Sequence, residues 1–499
     1  MTLMTHVIFK ARPWLTGSPP LQHAPVGMLG GRESLLFYHL AKDFYAGKGA
    51  IVDAGSFLGK SAWFLAQGLR ANPGFDIQRH RVHCFDNFLV NDEPTIDFIA
   101  RMLHQTVGIG ESTRAIFERQ VAPVRDLLEV HEGDFHVVPW RSQPIEVLMV
   151  DIAKTEALGK RVVASFFPDL VPGCSIVIHQ DYHHPWLPHI HVVMEYLADH
   201  FEIVAPRVDD SAVFFLAKAI PAPVLQRAID YDFSLDEQLA LMDRALARLP
   251  AEDRHVVELA RLRLRGKRSD GHALRAELDD IEQRNAERRH GPSWQAYLGQ
   301  MRNHVDEADG WQQRDRGDFP RTLELVAGLI SRGRRTSPVL VMWATALVGL
   351  NRHAEAEPIL REALQKSPRN GYAYIVLARV LTVLGRLDEA EAELVRGTLD
   401  RAARGARPVD FLEMLGGMWE KLPNVERATA VLDQLRRELA EEPEVWVLDA
   451  RVHIFMGRRR EAVLSLRKAV AVGLPPARCA KVRQQAGIAP EEWSSVVDS

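Results

Sequence analysis

Residues 49–69 read Gly49-Ala-Ile-Val-Asp53-Ala-Gly55-Ser-Phe-Leu-Gly59-Lys60-Ser61-Ala-Trp-Phe-Leu-Ala-Gln-Gly-Leu69. Ala50–Val52 is a short apolar run of the kind a buried strand takes. It closes on Asp53, passes through a loop with glycines at 55 and 59, and enters an apolar helix from Lys60 to Leu69. Strand, glycine loop and helix together bring backbone N–H groups and a helix N-terminus up to a ligand. Ala54–Ser61 satisfies a permissive phosphate-loop pattern, with Lys60 for phosphates and Ser61 for magnesium, although the strict pattern has glycine at 54. Asp53 argues against that reading. A carboxylate at the strand tip repels a triphosphate and suits a cationic or hydroxyl-rich ligand.

The flanking sequence alternates strands and helices. Gly31–Tyr45 carries Leu36, Phe37, Leu40, Ala41 and Phe44 at helical spacing. Residues 81–86 form a second strand closed by Asp86, and a helical connection covers about 92–125. Residues 127–132 form a third strand, followed by Gly133-Asp134, and 145–151 a fourth, apolar on both faces and ending in Asp151. A helix from Thr155 to Phe167 leads through Pro172-Gly173 to a fifth strand ending at His179. Residues 201–205 and 212–217 complete an antiparallel edge. This order predicts an α/β doubly wound, Rossmann-like N-terminal domain. Ligands of such sheets lie outside the carboxyl ends of the strands, where Asp53, Asp86, Asp134, Asp151 and His179 fall. One acid at a strand end is an ordinary turn or cap residue, but four in succession indicate a site.

The same residues carry a family resemblance. Asp53-x-Gly55-x-x-x-Gly59 resembles the first motif of class I S-adenosylmethionine-dependent methyltransferases. The resemblance implies that Gly55 and Gly59 let the backbone approach the methionine part of the cofactor. Ser56, Lys60 and Ser61 then lie where the helix N-terminus faces its carboxylate. Asp86, 33 residues after Asp53 and beside Asn87, stands where that family binds the ribose hydroxyls. Gly133-Asp134 resembles its adenine-side element, with Phe135 placed to cover the ring. Val150–Lys154 and Leu170–Tyr182 are similar to the fourth and fifth strands of the macrocin O-methyltransferase-like group. The resemblance spans about 27–218 and leaves a phosphate-loop enzyme unable to account for Asp53, Asp86 and Gly133-Asp134.

Methyl transfer to a hydroxyl needs a positioned nucleophile and a route for its proton, through a base or a metal ion. Residues 179–191 hold five of the 20 histidines. In the resembling group this stretch often reads Asp-Asp-Tyr and binds magnesium together with the acid of the fourth strand. Here Gln180 replaces the first of those acids. Asp151, Gln180 and Asp181 form an oxygen-rich set for Mg2+ with one charge fewer. A metal-free base, His179 or His183, is the alternative, and both stand open. A zinc site on His179 and His183 lacks a completing ligand. The plainer reading makes these histidines loop residues capping the sheet, and gives Trp186 and Pro188 either an acceptor pocket or simple packing.

Beyond about residue 220 the strand pattern gives way to Ala-, Leu-, Arg- and Glu-rich helices, at 234–249, 253–265 and 272–288, with breaks at Gly266–Gly271 and Gly291-Pro292. A repeat follows. Counting Ser337 as position 1, the pattern Leu340, Trp343, Ala344, Leu347, Ala356, Leu360, Ala363 recurs 34 residues later as Tyr374, Leu377, Ala378, Leu381, Ala390, Leu394, Gly397. Looser copies begin at Val409 and Pro443, and the 320s hold a further degenerate unit. These units resemble the tetratricopeptide repeat, which stacks into an all-α solenoid and binds a peptide or protein partner, or serves self-association. The division expected is 1–220 for a methyltransferase domain, 221–300 for a helical connection and 301–499 for a repeat domain.

Bulk composition narrows the classes. Across 499 residues, 62 basic and 66 acidic side chains leave a net charge of −4, which speaks against nucleic acid or an anionic membrane as main partner. Three cysteines make no disulfide framework, no signal architecture is visible, and no apolar run approaches the roughly 18 residues of a membrane helix. A cytoplasmic protein is expected. The leading reading is an S-adenosylmethionine-dependent O-methyltransferase for a hydroxyl on a glycan or small molecule, fused to repeats. The alternatives are a repeat scaffold with a catalytically weakened cofactor domain and, third, a phosphate-loop enzyme.

Overall fold

A computed structural model describes residues 7–16, 24–76, 79–140, 143–266, 270–286, 293–421, 424–485 and 487. The expected breaks at 267–269 and Gly291-Pro292 lie outside them, as does the side chain of Cys479; Cys84 and Cys174 are buried and free. The chain divides into two compact units, Met1–Arg302 and Asn303–Ser499.

In the first unit, among the described residues, seven strands form one sheet: β1 Ala50–Ala54, β2 Val82–Asp86, β3 Leu128–Glu132, β4 Ile145–Val150, β5 Ile176–His179, β6 Phe201–Val208 and β7 Ser211–Leu216. Their order is β3-β2-β1-β4-β5-β7-β6, parallel through β5, with β7 antiparallel to β5 and to β6. After β1 the chain builds β2 and β3 to one side, then returns to place β4 and β5 on the other. The strand order therefore reverses between β1 and β4, where a crevice opens at the carboxyl ends.

Six helices matter to that crevice or cover the sheet: α1 Gly31–His39, α2 Lys60–Arg70, α3 Glu93–Leu103, α4 Arg114–Val121, α5 Glu156–Phe166 and α6 Pro188–Tyr196. α1 continues into a wider π turn, Leu40–Phe44. α3 begins at Asp92, whose carboxylate accepts from Thr95 N at 2.8 Å, and α5 at Thr155, whose hydroxyl accepts from Leu158 N at 3.2 Å. β4 is buried throughout because both its faces are covered. Val147 and Met149 join the core beneath α1 and α2, while Leu148 and Val150 join the core beneath α5 and α6. Glu146 is the exception within this apolar strand. It sits where the β1–β4 register slips by one residue, and its carboxylate accepts from Ala46 N at 2.6 Å and Lys48 N at 2.7 Å. Ile8, Phe9 and Trp14 are buried in the first core, Phe9 packing edge-on to Trp14 and Phe44.

The second unit is a run of helices paired as Ser337–Gly349 with His353–Lys366, Gly371–Val383 with Leu387–Ala403, Val409–Lys421 with Val425–Glu438, and Pro443–Phe455 with Arg459–Ala471. These first helices begin at the positions where the sequence pattern places each copy. The third starts 38 residues after the second because Leu387–Ala403 runs to 17 residues where its counterpart His353–Lys366 has 14. The small residues lie where helices touch. Ala344, Ala356, Ala363, Ala378 and Ala390 are fully buried, and a Cβ at Gly397 would collide with the Phe411 ring. No helix of the described residues is long and apolar enough to cross a membrane.

Candidate functional site

A cleft of about 710 Å³ lies at the carboxyl ends of β1, β2 and β4 and just beyond β3. Its walls include Gly55, Ser56, Lys60, Ser61, Asp86, Asn87, Gly133, Asp134, Phe135, Asp151 and Gln180. The volume is within the range of small-molecule sites. Residues separated by more than a hundred positions are thus brought together by the strand ends alone. Asp53, Gly59, His179, Asp181 and His183 are not among the lining residues.

Asp53 lies under the loop rather than in its mouth. It is fully buried, and its Oδ2 accepts from Ser56 Oγ at 2.8 Å and Ser61 Oγ at 2.9 Å. Oδ1 is buried with no hydrogen-bond partner. Burial pushes this carboxyl up to about 7, against the pull of the two serine hydroxyls. The glycines at 55 and 59 serve chain packing. Gly55 (φ +106°) has Asp151 backbone and Cβ within 2.9 Å of where its own Cβ would stand. Gly59 (φ +92°), the N-cap of α2, would drive a Cβ into Val121 and Phe117 of α4. Lys60 bends away from the loop to donate to Leu29 O at 2.7 Å, and Gly27 packs on its stem. Gly27, Met28 and Leu29 accordingly form one rim of the cleft.

Asp86 is held by backbone donors. Its Oδ2 accepts from Phe57 N at 2.8 Å and its Oδ1 from Phe88 N at 2.7 Å. Burial raises this carboxyl, and the backbone donors Phe57, Phe88 and Asn87 oppose the shift. Asn87 turns inward to cap the next peptide, its Oδ1 accepting from Leu89 N at 3.0 Å. Gly133 N donates to Asp86 O at 3.0 Å, which draws the chain after β3 against the end of β2 at a φ of +138° open to glycine. Asp134 opens the turn that follows, its Oδ1 accepting from His136 N at 2.9 Å. Phe135 lies nearly parallel to Phe166, centroids 5.4 Å apart, and edge-on to Phe85.

At the β4 end Asp151 and Asp181 are joined by a residue to which the sequence reading gave no role. Lys154 Nζ donates to Asp151 Oδ1 and to Asp181 Oδ2, the latter at 2.5 Å. Burial alone would lower this ammonium, but the two carboxylates outweigh it and hold it well above its ordinary value. Gln180, with its amide oriented to suit its neighbours, donates to Asp151 Oδ1 at 3.0 Å. The set Asp151, Gln180 and Asp181 does not fit a divalent cation in this arrangement. An ammonium stands between the two acids, and the amide offers a hydrogen rather than an oxygen. The signal for Lys154 was its place three residues past Asp151, on the strand-end loop.

His179 and His183 face the sheet, not the cleft. His179 is buried against Phe214, and neither ring nitrogen has a hydrogen-bond partner. His183 Nε2 pairs with Pro206 O at 2.8 Å. Burial lowers both to about 3, and neither lines the cleft. His189 and His191 are likewise buried and lowered to about 4. His179 ends β5, and His189 and His191 lie on α6.

Residues 52–181 match a family described as a methyltransferase domain, and residues 347–407 match the tetratricopeptide repeat. No curated protein matches the chain. Among solved structures, a mutant of MamA is 17% identical over 35% of this chain and 98% of its own, with a TM-score of 0.25. A tetratricopeptide repeat protein from Parabacteroides merdae is 12% identical over 52% of this chain and 95% of its own, with a TM-score of 0.31. The chain thus carries a methyltransferase domain in a doubly wound α/β unit and a tetratricopeptide repeat in an all-helical one.

Proposed function

We propose that the first unit is an S-adenosylmethionine-dependent methyltransferase acting on a hydroxyl of a small-molecule or glycan acceptor. The observation that carries this reading is the convergence in one cleft of the α2 N-terminus, Asp86, Gly133-Asp134-Phe135 and Asp151, from four strand ends. The cofactor supplies a sulfonium methyl group, an electrophile that needs no further activation. Asp86, at the end of β2 in the cleft wall, would accept from a ribose hydroxyl. Phe135, Val138, Ile152 and Leu158 form the apolar wall for the adenine. The first turn of α2 offers N–H groups to the carboxylate.

At the acceptor end Lys154 takes the place of a metal. Its ammonium orients the acceptor oxygen and stabilises the charge that develops there. Asp151, raised by burial against the pull of Lys154, receives the proton. Calorimetry on the full chain with S-adenosylhomocysteine is expected to show binding that Asp86→Ala weakens at least a hundredfold. Absence of heat with the intact chain, or ATP binding in its place, sinks the assignment. Lys154→Met is expected to cut kcat steeply while cofactor affinity stays within about threefold. Transfer that stops with EDTA and returns with Mg2+ would sink the role given to Lys154 while sparing the cofactor site. The repeats we assign to a protein or peptide partner or to self-association.

A further inference from the structure

We propose that His83, Glu129 and His131 form a binding site for a transition-metal ion, zinc above all, on the β2–β3 edge of the sheet. The register pairs His83 with Glu129 and Phe85 with His131, and alternation along each strand puts all four on one face. His83 Nδ1 and His131 Nε2 are 3.2 Å apart. His83 Nδ1 lies 3.6 Å from Glu129 Oε2, and His131 Nε2 lies 3.8 Å from Glu129 Oε1. A tetrahedral zinc ion with bonds of about 2.0–2.1 Å sets its donors about 3.3 Å apart. The three side chains thus stand close to one face of that tetrahedron, and small rotations complete it. Two imidazoles and one carboxylate are a borderline-soft set that suits zinc rather than calcium or magnesium.

The supports of a metal site are present too. Phe85 stacks on His131 with centroids 4.3 Å apart and planes 10° from parallel, and Trp140 stands edge-on to His83 at 5.3 Å. The remaining nitrogen of His83, Nε2, faces the Gln143 amide at 3.2 Å. With the amide oxygen turned inward, Gln143 would accept Nε2–H and fix Nδ1 as the metal-binding nitrogen. The two imidazoles are nearly buried while Glu129 is one-third exposed. A water reaching the ion from that side would complete four ligands. Phe85 also lines the cleft, so an ion held by His131 would stiffen its aromatic wall.

The test uses the full chain, stripped with a chelator and titrated with Zn2+ in competition with a chromophoric indicator. One ion per chain is expected, with affinity reduced at least a hundredfold in the His83→Ala/His131→Ala double variant. Co2+ in place of Zn2+ should give the visible absorption of a four-coordinate nitrogen–oxygen site. Glu129→Gln, at a partly exposed position, should keep the fold and weaken binding about tenfold. It decides the matter if the double variant folds poorly. Zinc binding that survives Glu129→Gln at full strength, or an intact chain that takes up no ion at tens of micromolar, overturns the proposal.

Discussion

The repeats and the cleft of the sheet unit treat buried charge in opposite ways. In the repeats, acids drawn into helix junctions meet cationic partners. Glu391 accepts from Trp419 Nε1 and from Arg427, Asp449 accepts from Arg436 at 3.0 Å and Ser465 at 2.6 Å, and Glu444 pairs with Arg407. On the exposed side Arg386 reaches Glu357 in the preceding pair and Glu389 in its own. In the cleft region of the sheet unit, Asp53 has two hydroxyls and no cation, Asp86 has backbone amides, and the four histidines around the β5 end are buried. A paired charge fixes where helices meet. An unpaired buried one costs stability, and such groups gather where a ligand or a reaction needs them. Lys154 marks the border between the two habits, a paired cation placed inside a site.

Four measurements can break or sharpen this contrast. In the repeats Phe411→Ala should remove about 3–5 kcal/mol from unfolding of that unit, because the ring is fully buried in the space left by Gly397. A loss below 1 kcal/mol by denaturant titration would mean that the junction is not close-packed. In the sheet unit, without cofactor, Asp53→Asn tests the unpaired charge. The folded carboxyl titrates at about 7 and the unfolded one near 3.8, so the folded state holds the extra proton between them, and stability falls as pH rises through that window. The variant should lack this fall, a difference on the order of 4 kcal/mol between pH 4 and pH 7. Parallel curves would remove Asp53 from the account.

His183→Asn tests the opposite sign. The folded imidazole titrates at about 3 and the unfolded one near 6.5, so its stabilising neutrality is intact above 6.5 and lost as pH falls. Between pH 6.5 and pH 5 the variant should lose about 2 kcal/mol less than the parent. An equal loss would mean that the imidazole is protonated in the fold. The smallest effect is expected at the repeat surface. Arg386→Ala should lower stability only slightly, and less at high salt, since Arg386 and Glu389 are exposed and only Glu357 is part-buried. A salt-independent loss would point to packing by its stem instead.

The sheet was legible because hydrophobic alternation and acid-ended strands are local signals. Ile145–Val150 could only be a strand covered on both faces, and the repeat copies at Ser337, Gly371, Val409 and Pro443 start where helices start. What lay beyond reading was direction. Asp53 and Asp86 look alike in sequence, yet one points under the loop and the other lines the cleft. That choice depends on Ser56 and Ser61 offering hydroxyls below and Phe57 offering its amide above. His179 and His183 drew notice by number, but which side of β5 they occupy is set by Phe214 and Pro206 on other strands. Lys154 was passed over because its two partners lie 3 and 27 residues away, and only the fold closes the second gap. The edge pair of β2 and β3 was hidden for the same reason, since His83 and Glu129 meet only through strand register.

Gly55 joins β1 to the chain leaving β4 at a place where no side chain would fit, and Asp151 N donates to Ala54 O at 2.7 Å across the same seam. On the proposed function, grip on the cofactor and placement of the acceptor would share one rigid joint. Neither end can be retuned through that seam without moving the other. New acceptor preferences would have to arise in the outlying walls, at Leu89, Asn91 and Thr95 on the far rim.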